Sequence, residues 1–454
     1  MARRATSVAD TPAPDRARVL GMTLIAVVCA AAAAIALRHL GTKPLWLDES
    51  VTATEAARPL GSMLHFLKGE DADFGVYYAV VHLWLKLGSS DAWVRGPSAL
   101  FAVASVGAAG WCGVRWRGWG TGVAAATLLA VNPFWLYYAQ EARGYSLALL
   151  LALLSTTALI GALRRPDRRR LVLYGALTAA LLYASLFAAL YVAAQVAVVA
   201  TRGLGRRLAP AWLVAAACAT PLAVWMAAVE RGQISWIRRP DVAALPTVVA
   251  RVEGGWLALV AVLAALGWAA TRRSAPFGGD GFAVVLAAGT ILPALALWAA
   301  SQWVPAFVDR YLIASLGAGT VLVAGFVTEL AARRGRACAG AVLAVLVVAG
   351  LSAQLRLEAR PFKVEDARAA ARLIASDRLP GDTVYAASGL WGALGRYLPP
   401  EHGGSSGPPQ PGRVWLVTNP EPPATPLPSG LASAALRPSP ARRFGQLQVV
   451  LWSP

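Results

Sequence analysis

Four short stretches of the chain set carboxylates, guanidinium groups and aromatic rings side by side. They are Leu45-Trp46-Leu47-Asp48-Glu49-Ser50, Glu70-Asp71-Ala72-Asp73, Tyr137-Tyr138-Ala139-Gln140-Glu141-Ala142-Arg143-Gly144-Tyr145, and Val308-Asp309-Arg310-Tyr311-Leu312. A carboxylate within hydrogen-bond reach of a hydroxyl can take its proton as that hydroxyl attacks. Arginine grips phosphate or carboxylate through paired hydrogen bonds. These types together suit work on a charged substrate. Each stretch also has a structural reading. Asp48 and Glu49 suit the first turn of any helix, where acids meet the positive end of the dipole. Arg310-Tyr311 suits an interface anchor. Asp71-x-Asp73 has the form of a chelating pair, but so short a pattern arises often by chance. Glu141 and Arg143 stand two apart and share no helix face, so a simple helical ion pair does not account for them. His82 reads as structural, and Trp46 and Trp236 as candidate walls of a sugar subsite.

The elements that must position these groups are membrane helices. Of the 454 residues, 57% are hydrophobic and 15% charged, and mean hydropathy is +0.54, which excludes an ordinary soluble domain. Val19–Leu37 and Gly144–Leu163 carry no charge and are long enough to span a bilayer. Apolar runs predict spans near 19–38, 96–114, 119–138, 144–163, 171–184, 186–201, 208–229, 254–270, 281–300, 311–331 and 337–352. The fold class expected is an all-α polytopic membrane protein of about eleven transmembrane helices, with a small C-terminal extracytoplasmic α/β domain. Val76–Leu87, interrupted by His82 and Lys86, is expected to be an interfacial or re-entrant helix. Cys29, Cys112, Cys218 and Cys338 all fall in apolar runs and are expected to be buried thiols, with neither disulfides nor a zinc site.

The net charge of +18 comes from arginines clustered between apolar runs, which encodes topology and argues against nucleic acid as a partner. With the N-terminus inside, the short inner pieces hold 19 Lys/Arg against five acids, whereas the outer loops hold 12 of each, so the orientation follows. All four chemical stretches then lie on the outer side. The domains expected are a cytoplasmic tail at 1–18, a transmembrane domain at 19–352 with its first outer loop at 39–95, and an α/β domain at 353–454. In that last part the pattern predicts a helix over 364–379, strands at 383–386, 413–418 and 446–452, and a Pro/Gly/Ser loop at 399–412.

Over roughly residues 20–330 the chain resembles the GT-C superfamily of membrane glycosyltransferases, in the bacterial branch of protein O-mannosyltransferases and aminoarabinose transferases. The likeness rests on Leu45-Trp46-Leu47-Asp48-Glu49, on Tyr77-Tyr78 with His82-Leu83-Trp84 leading to Arg95-x-Pro97-Ser98, on Asn132-Pro133 with Tyr138 to Arg143 and Tyr145, and on Pro305 with Arg310-Tyr311-Leu312. Relatives carry His or Asn and then two prolines where this chain has Asp73-Phe74-Gly75, which leaves loop geometry and substrate choice open. The resemblance implies a polyprenyl-phosphate-linked sugar as donor, inversion at the anomeric carbon, and a glycan, glycolipid or protein as acceptor. It implies Asp48 as general base with Glu49 orienting it or touching the acceptor. Arg310, Tyr311 and Arg143 would bind the donor phosphate. Glu141, Gln140, Tyr138, Asp71, Asp73 and Trp46 would orient groups or bind the acceptor. Neither a nucleotide fold nor ATP is needed, and metal dependence stays open: a divalent metal is used by some distant relatives and not by the mannosyltransferase branch. A bacterial plasma membrane is the expected location. The rival readings are a flippase or transporter of lipid-linked sugar and a non-catalytic scaffold of the cell envelope.

Overall fold

The computed structural model of the protein describes residues 16–229, 237–275, 279–386, 390–398, 413–419 and 436–454. Helix α1 (Arg16–Leu37) leads to three short helices, α2 (Leu47–Ala56), α3 (Leu60–Gly69) and α4 (Gly75–Trp84), before α5 (Asp91–Arg117). Next come α6 (Trp119–Ala130), α7 (Pro133–Ala139), α8 (Tyr145–Arg164), α9 (Arg168–Ala184), α10 (Ala188–Thr201) and α11 (Gly205–Val229). The bundle is completed by α12 (Ala244–Glu253), α13 (Trp256–Ala270), α14 (Phe282–Ala300), α15 (Ile313–Arg334) and α16 (Arg336–Glu358).

Among the described residues seven helices are long and apolar enough to cross a membrane, or up to nine if α6–α7 and α12–α13 each form one broken span. The apolar runs read as α9 and α10 are present as helices of 17 and 14 residues, below the ~20 a perpendicular crossing needs. The two broken spans bend by 64° and 95°. The first breaks where Asn132 caps the backbone N–H groups of Phe134 and Trp135 and Pro133 opens α7. The second breaks at Gly254 and Gly255, both at positive φ. Small residues let the helices approach: a side chain at Gly113 or Gly122 would collide with the facing backbone of α5 or α6. The short α4, the run expected to be interfacial or re-entrant, packs against α2, α5 and α9.

The C-terminal unit contains α17 (Ala367–Asp377), β1 (Thr383–Ala386), α18 (Leu390–Gly395), β2 (Val414–Thr418), β3 (Arg437–Pro438), β4 (Arg442–Phe444) and β5 (Leu447–Ser453). β1 runs parallel to β2, β2 pairs antiparallel with β5, and β5 also pairs with β3 and β4. Ala370, Ala371 and Ile374 of α17 bury against Val384, Trp415, Val417 and Val449 of the sheet. β3 and β4 are too short to announce themselves by alternation. The expected loop at 399–412 lies outside the described residues.

This unit sits on the end of the bundle that carries the four chemical stretches. Asp91, at the start of α5, receives Arg368 at 2.8 Å, Arg396 at 2.8 Å and the Tyr397 hydroxyl at 2.6 Å. At the opposite end Arg117 and Arg272 converge on Asp280 and Glu329. The expectation for the cysteines holds only for Cys112. Cys29 is half-buried, Cys338 is exposed in the first turn of α16, and Cys218 is exposed midway along α11, because an apolar side chain on a membrane helix can face lipid as readily as protein.

Candidate active site

The first acidic motif is held by the helix it opens. Glu49 reaches back and accepts from the backbone N–H of Trp46 at the start of α2. Its carboxylate is fully buried and also accepts from Arg95 at 2.7 and 2.6 Å and from the Ala142 N–H at 2.9 Å. Arg95 donates onward to the carbonyls of Leu40, Lys43 and Pro44. One ion pair thus binds the first outer loop to α5 and to the turn after α7. Burial opposes ionisation of Glu49, yet Arg95 and Lys363 hold its carboxyl below the ordinary range.

Asp48 is placed differently. Its carboxylate makes no hydrogen bond to any described residue, and Arg310 Nη1 stands 3.9 Å away, an ion pair too long for a hydrogen bond. Burial pushes the Asp48 carboxyl up, Arg143 and Arg310 pull it down, and Asp71 and Glu49 add to the push; the net direction is up. The Trp46 indole N–H is buried and finds no partner among the described residues.

Arg143 is committed to Asp71, donating through Nη1 at 2.6 Å and Nη2 at 3.0 Å, while Tyr78 donates to the same carboxylate at 2.8 Å. Burial opposes the charge on Asp71, but Arg143 and Tyr78 hold its carboxyl below the ordinary range. The guanidinium lies 4.0 Å from the centre of the Phe74 ring, a cation–π contact supplied by the segment that departs from the family pattern. Asp73 and Phe74 belong to a 3₁₀ turn, Ala72–Phe74, and are buried. Asp71 holds a left-handed φ of 55° at its start. The Asp71-x-Asp73 spacing therefore serves a turn and an arginine clamp. No three His, Cys, Asp or Glu side chains gather as a metal site among the described residues.

Glu141 is buried and faces Lys363 Nζ at 3.4 Å; burial raises its carboxyl to about 7 against the pull of that lysine. Gln140 donates to the carbonyls of Ala36 and Arg38 at the end of α1, a structural role. Tyr138 packs edge-on against Phe134, Tyr137 and Tyr145. Tyr311 stacks on Phe187 with ring centres 3.8 Å apart, and Asp309 anchors its turn by accepting from Arg251 at 2.9 Å. Trp236 lies outside the described residues.

Three residues of the C-terminal part complete the frame and were not singled out as site residues from the sequence. Glu365 accepts from the Leu47 N–H at 2.9 Å, and Tyr397 accepts from the Leu45 N–H at 2.8 Å, so the motif bearing Asp48 is gripped from that side. Lys363 donates to the Tyr137 carbonyl at 3.2 Å. A lysine in a chain with four was the one available signal.

No family model matches the chain, and no curated protein matches it. Solved structures do. ArnT from Cupriavidus metallidurans in the apo state matches with a TM-score of 0.58 at 14% identity, over 95% of this chain and 98% of that one. ArnT bound to undecaprenyl phosphate matches with a TM-score of 0.56 at 14% identity, over 96% and 97%. The Archaeoglobus fulgidus oligosaccharyltransferase in complex with Zn and sulfate gives 0.53 at 11% identity, over 87% of this chain and 67% of that one. At such identities the likeness is one of architecture, and the chain has a GT-C-like fold.

Proposed function

We propose that this protein is an integral-membrane glycosyltransferase that moves a sugar from a polyprenyl-phosphate donor to the hydroxyl of an extracytoplasmic acceptor, with inversion. The observation that carries the reading is the Asp48 carboxylate, half-buried and hydrogen-bonded to no described residue, with Arg310 3.9 Å away. The acceptor oxygen loses its proton to Asp48 as it bonds to the anomeric carbon. The bond from that carbon to the phosphate oxygen breaks, and its electron pair leaves with the lipid phosphate. Arg310 meets that growing charge in a setting of low dielectric. Arg143 already spends an N–H of each terminal nitrogen on Asp71, which suits it to shaping the pocket and adding field; its Nε makes no hydrogen bond to a described residue. Glu49 orients Asp48 through the cap of α2, and Trp46 offers a free indole N–H to a sugar hydroxyl.

The ArnT structure bound to undecaprenyl phosphate supports a lipid-linked donor, and the arginine-rich inner loops support an outward-facing site in a bacterial plasma membrane. The acceptor class is a glycan, glycolipid or protein. The test is transfer of labelled sugar by purified protein in lipid, wild type beside Asp48→Asn. The variant is expected to lose roughly 100- to 10,000-fold in rate while still binding donor.

A further inference from the structure

A second polar site lies away from Asp48, where the two broken spans meet. α6 ends at Ala130, followed by its cap Val131, and α12 ends at Glu253; both ends lend residues to one cavity of about 50 Å³, walled otherwise by the start of α7 and by α13, α15 and α16. Asn132 staples the two breaks together. Its oxygen caps the N–H groups of Phe134 and Trp135, and its nitrogen donates to the Val252 carbonyl at 3.3 Å.

Glu253 lines this cavity at 8% exposure and makes no hydrogen bond or ion pair to any described residue. α15 makes room for the carboxylate: a Cβ at Gly319 would collide with both of its oxygens. The neighbouring Thr320 also lines the cavity, and its hydroxyl has no hydrogen-bond partner among the described residues. The Val131 carbonyl at the other break likewise accepts no hydrogen bond from a described residue.

An acid at a helix C-terminus faces the negative end of the dipole, and here two helices end together. An ionised carboxylate in an apolar bundle needs a compensating charge. Carboxylate, hydroxyl and free carbonyl are hard oxygen donors, and one negative charge balances one positive charge. Broken membrane helices use their C-terminal ends in this way to hold small cations.

We propose that this cavity binds one monovalent metal cation of the sodium class, held by the Glu253 carboxylate and the Thr320 hydroxyl at the joined ends of α6 and α12. The site stands independently of the sugar chemistry. It reaches the candidate active site through α12, whose Arg251 holds Asp309 beside Arg310.

The experiment is thermal unfolding of the full chain in lipid nanodiscs, in NaCl and in choline chloride at equal ionic strength. Sodium is expected to raise Tm saturably by about 2–4 °C over choline. That rise is expected to vanish in Glu253→Gln and to shrink in Thr320→Val. Equal Tm in the two salts would overturn the proposal, as would a sodium-specific rise that persists in Glu253→Gln. An infrared band of a protonated carboxyl that sodium leaves unchanged and Glu253→Gln removes would also overturn it, since Glu253 would then be a neutral acid. If Glu253→Gln fails to fold, the wild-type salt comparison and Thr320→Val still decide.

Discussion

Asp48 and Glu49 are neighbours in sequence and opposites in environment. The second has every oxygen satisfied and the first has neither, so only Asp48 is available to take a proton from a ligand. Because burial raises the Asp48 carboxyl above its ordinary value of 3.8, the acid limb of the kcat/KM profile is expected above the usual aspartate range. Arg310 holds that carboxyl down, so Arg310→Gln is expected to move the limb further up while weakening donor use. A pH profile of both proteins checks the pair of statements, and an unmoved limb would place the titrating base elsewhere. The acids and arginines themselves were legible in the sequence as types at the ends of apolar runs. Their partners were not. Glu49 finds Arg95 across 46 residues and Asp71 finds Arg143 across 72, and spacing along the chain carries no record of such pairs. Phe74 shows the same limit: as a departure from Pro-Pro it left the loop open, and only the fold puts its ring against Arg143.

At the scale of elements, α2 is the part that must be rigid, and two sets of contacts hold it. The Arg95–Glu49 pair is buried, with five hydrogen bonds from the guanidinium. Arg95→Met strands the Glu49 carboxylate and is expected to cost about 3–5 kcal/mol in unfolding experiments, with Glu49→Gln added to it costing less than the sum. From the other side Glu365 grips the start of α2, and burial raises its carboxyl from 4.5 to about 7. The folded state therefore keeps a proton that the unfolded chain releases. That contribution is complete below pH 4.5 and declines, at about 1.4 kcal/mol per pH unit, as pH rises to about 7. Glu365→Gln is expected to flatten this slope in stability measured across that window. The helices were legible from hydropathy and the breaks were not, since a window of apolar residues reads the same whether the run is straight or bent at Pro133 or at Gly254-Gly255.

The whole molecule is a bundle of membrane helices with a small α/β unit seated on the end that bears Asp48. Its orientation rests on the arginine-rich loops. Cys338, exposed in the first turn of α16, belongs by that rule to the cytoplasmic end. A membrane-impermeant maleimide is expected to label it in inverted vesicles and to leave it unlabelled in intact cells; the reverse result would turn the active-site face inward. The tail was legible as a helix and three strands, but its docking was not. Asp91, Arg368, Arg396 and Tyr397 meet through tertiary structure alone, and with them come Lys363 and Glu365, the site's least foreseeable members. The central claim is that Asp48 drives sugar transfer from a lipid phosphate. The most direct test gives purified protein in lipid a panel of labelled polyprenyl-phosphate sugars with an envelope extract as acceptor, wild type beside Asp48→Asn. Label moving from a donor with the wild type, and not with a variant that still binds that donor, is the expected result. Transfer by Asp48→Asn at the wild-type rate would contradict it.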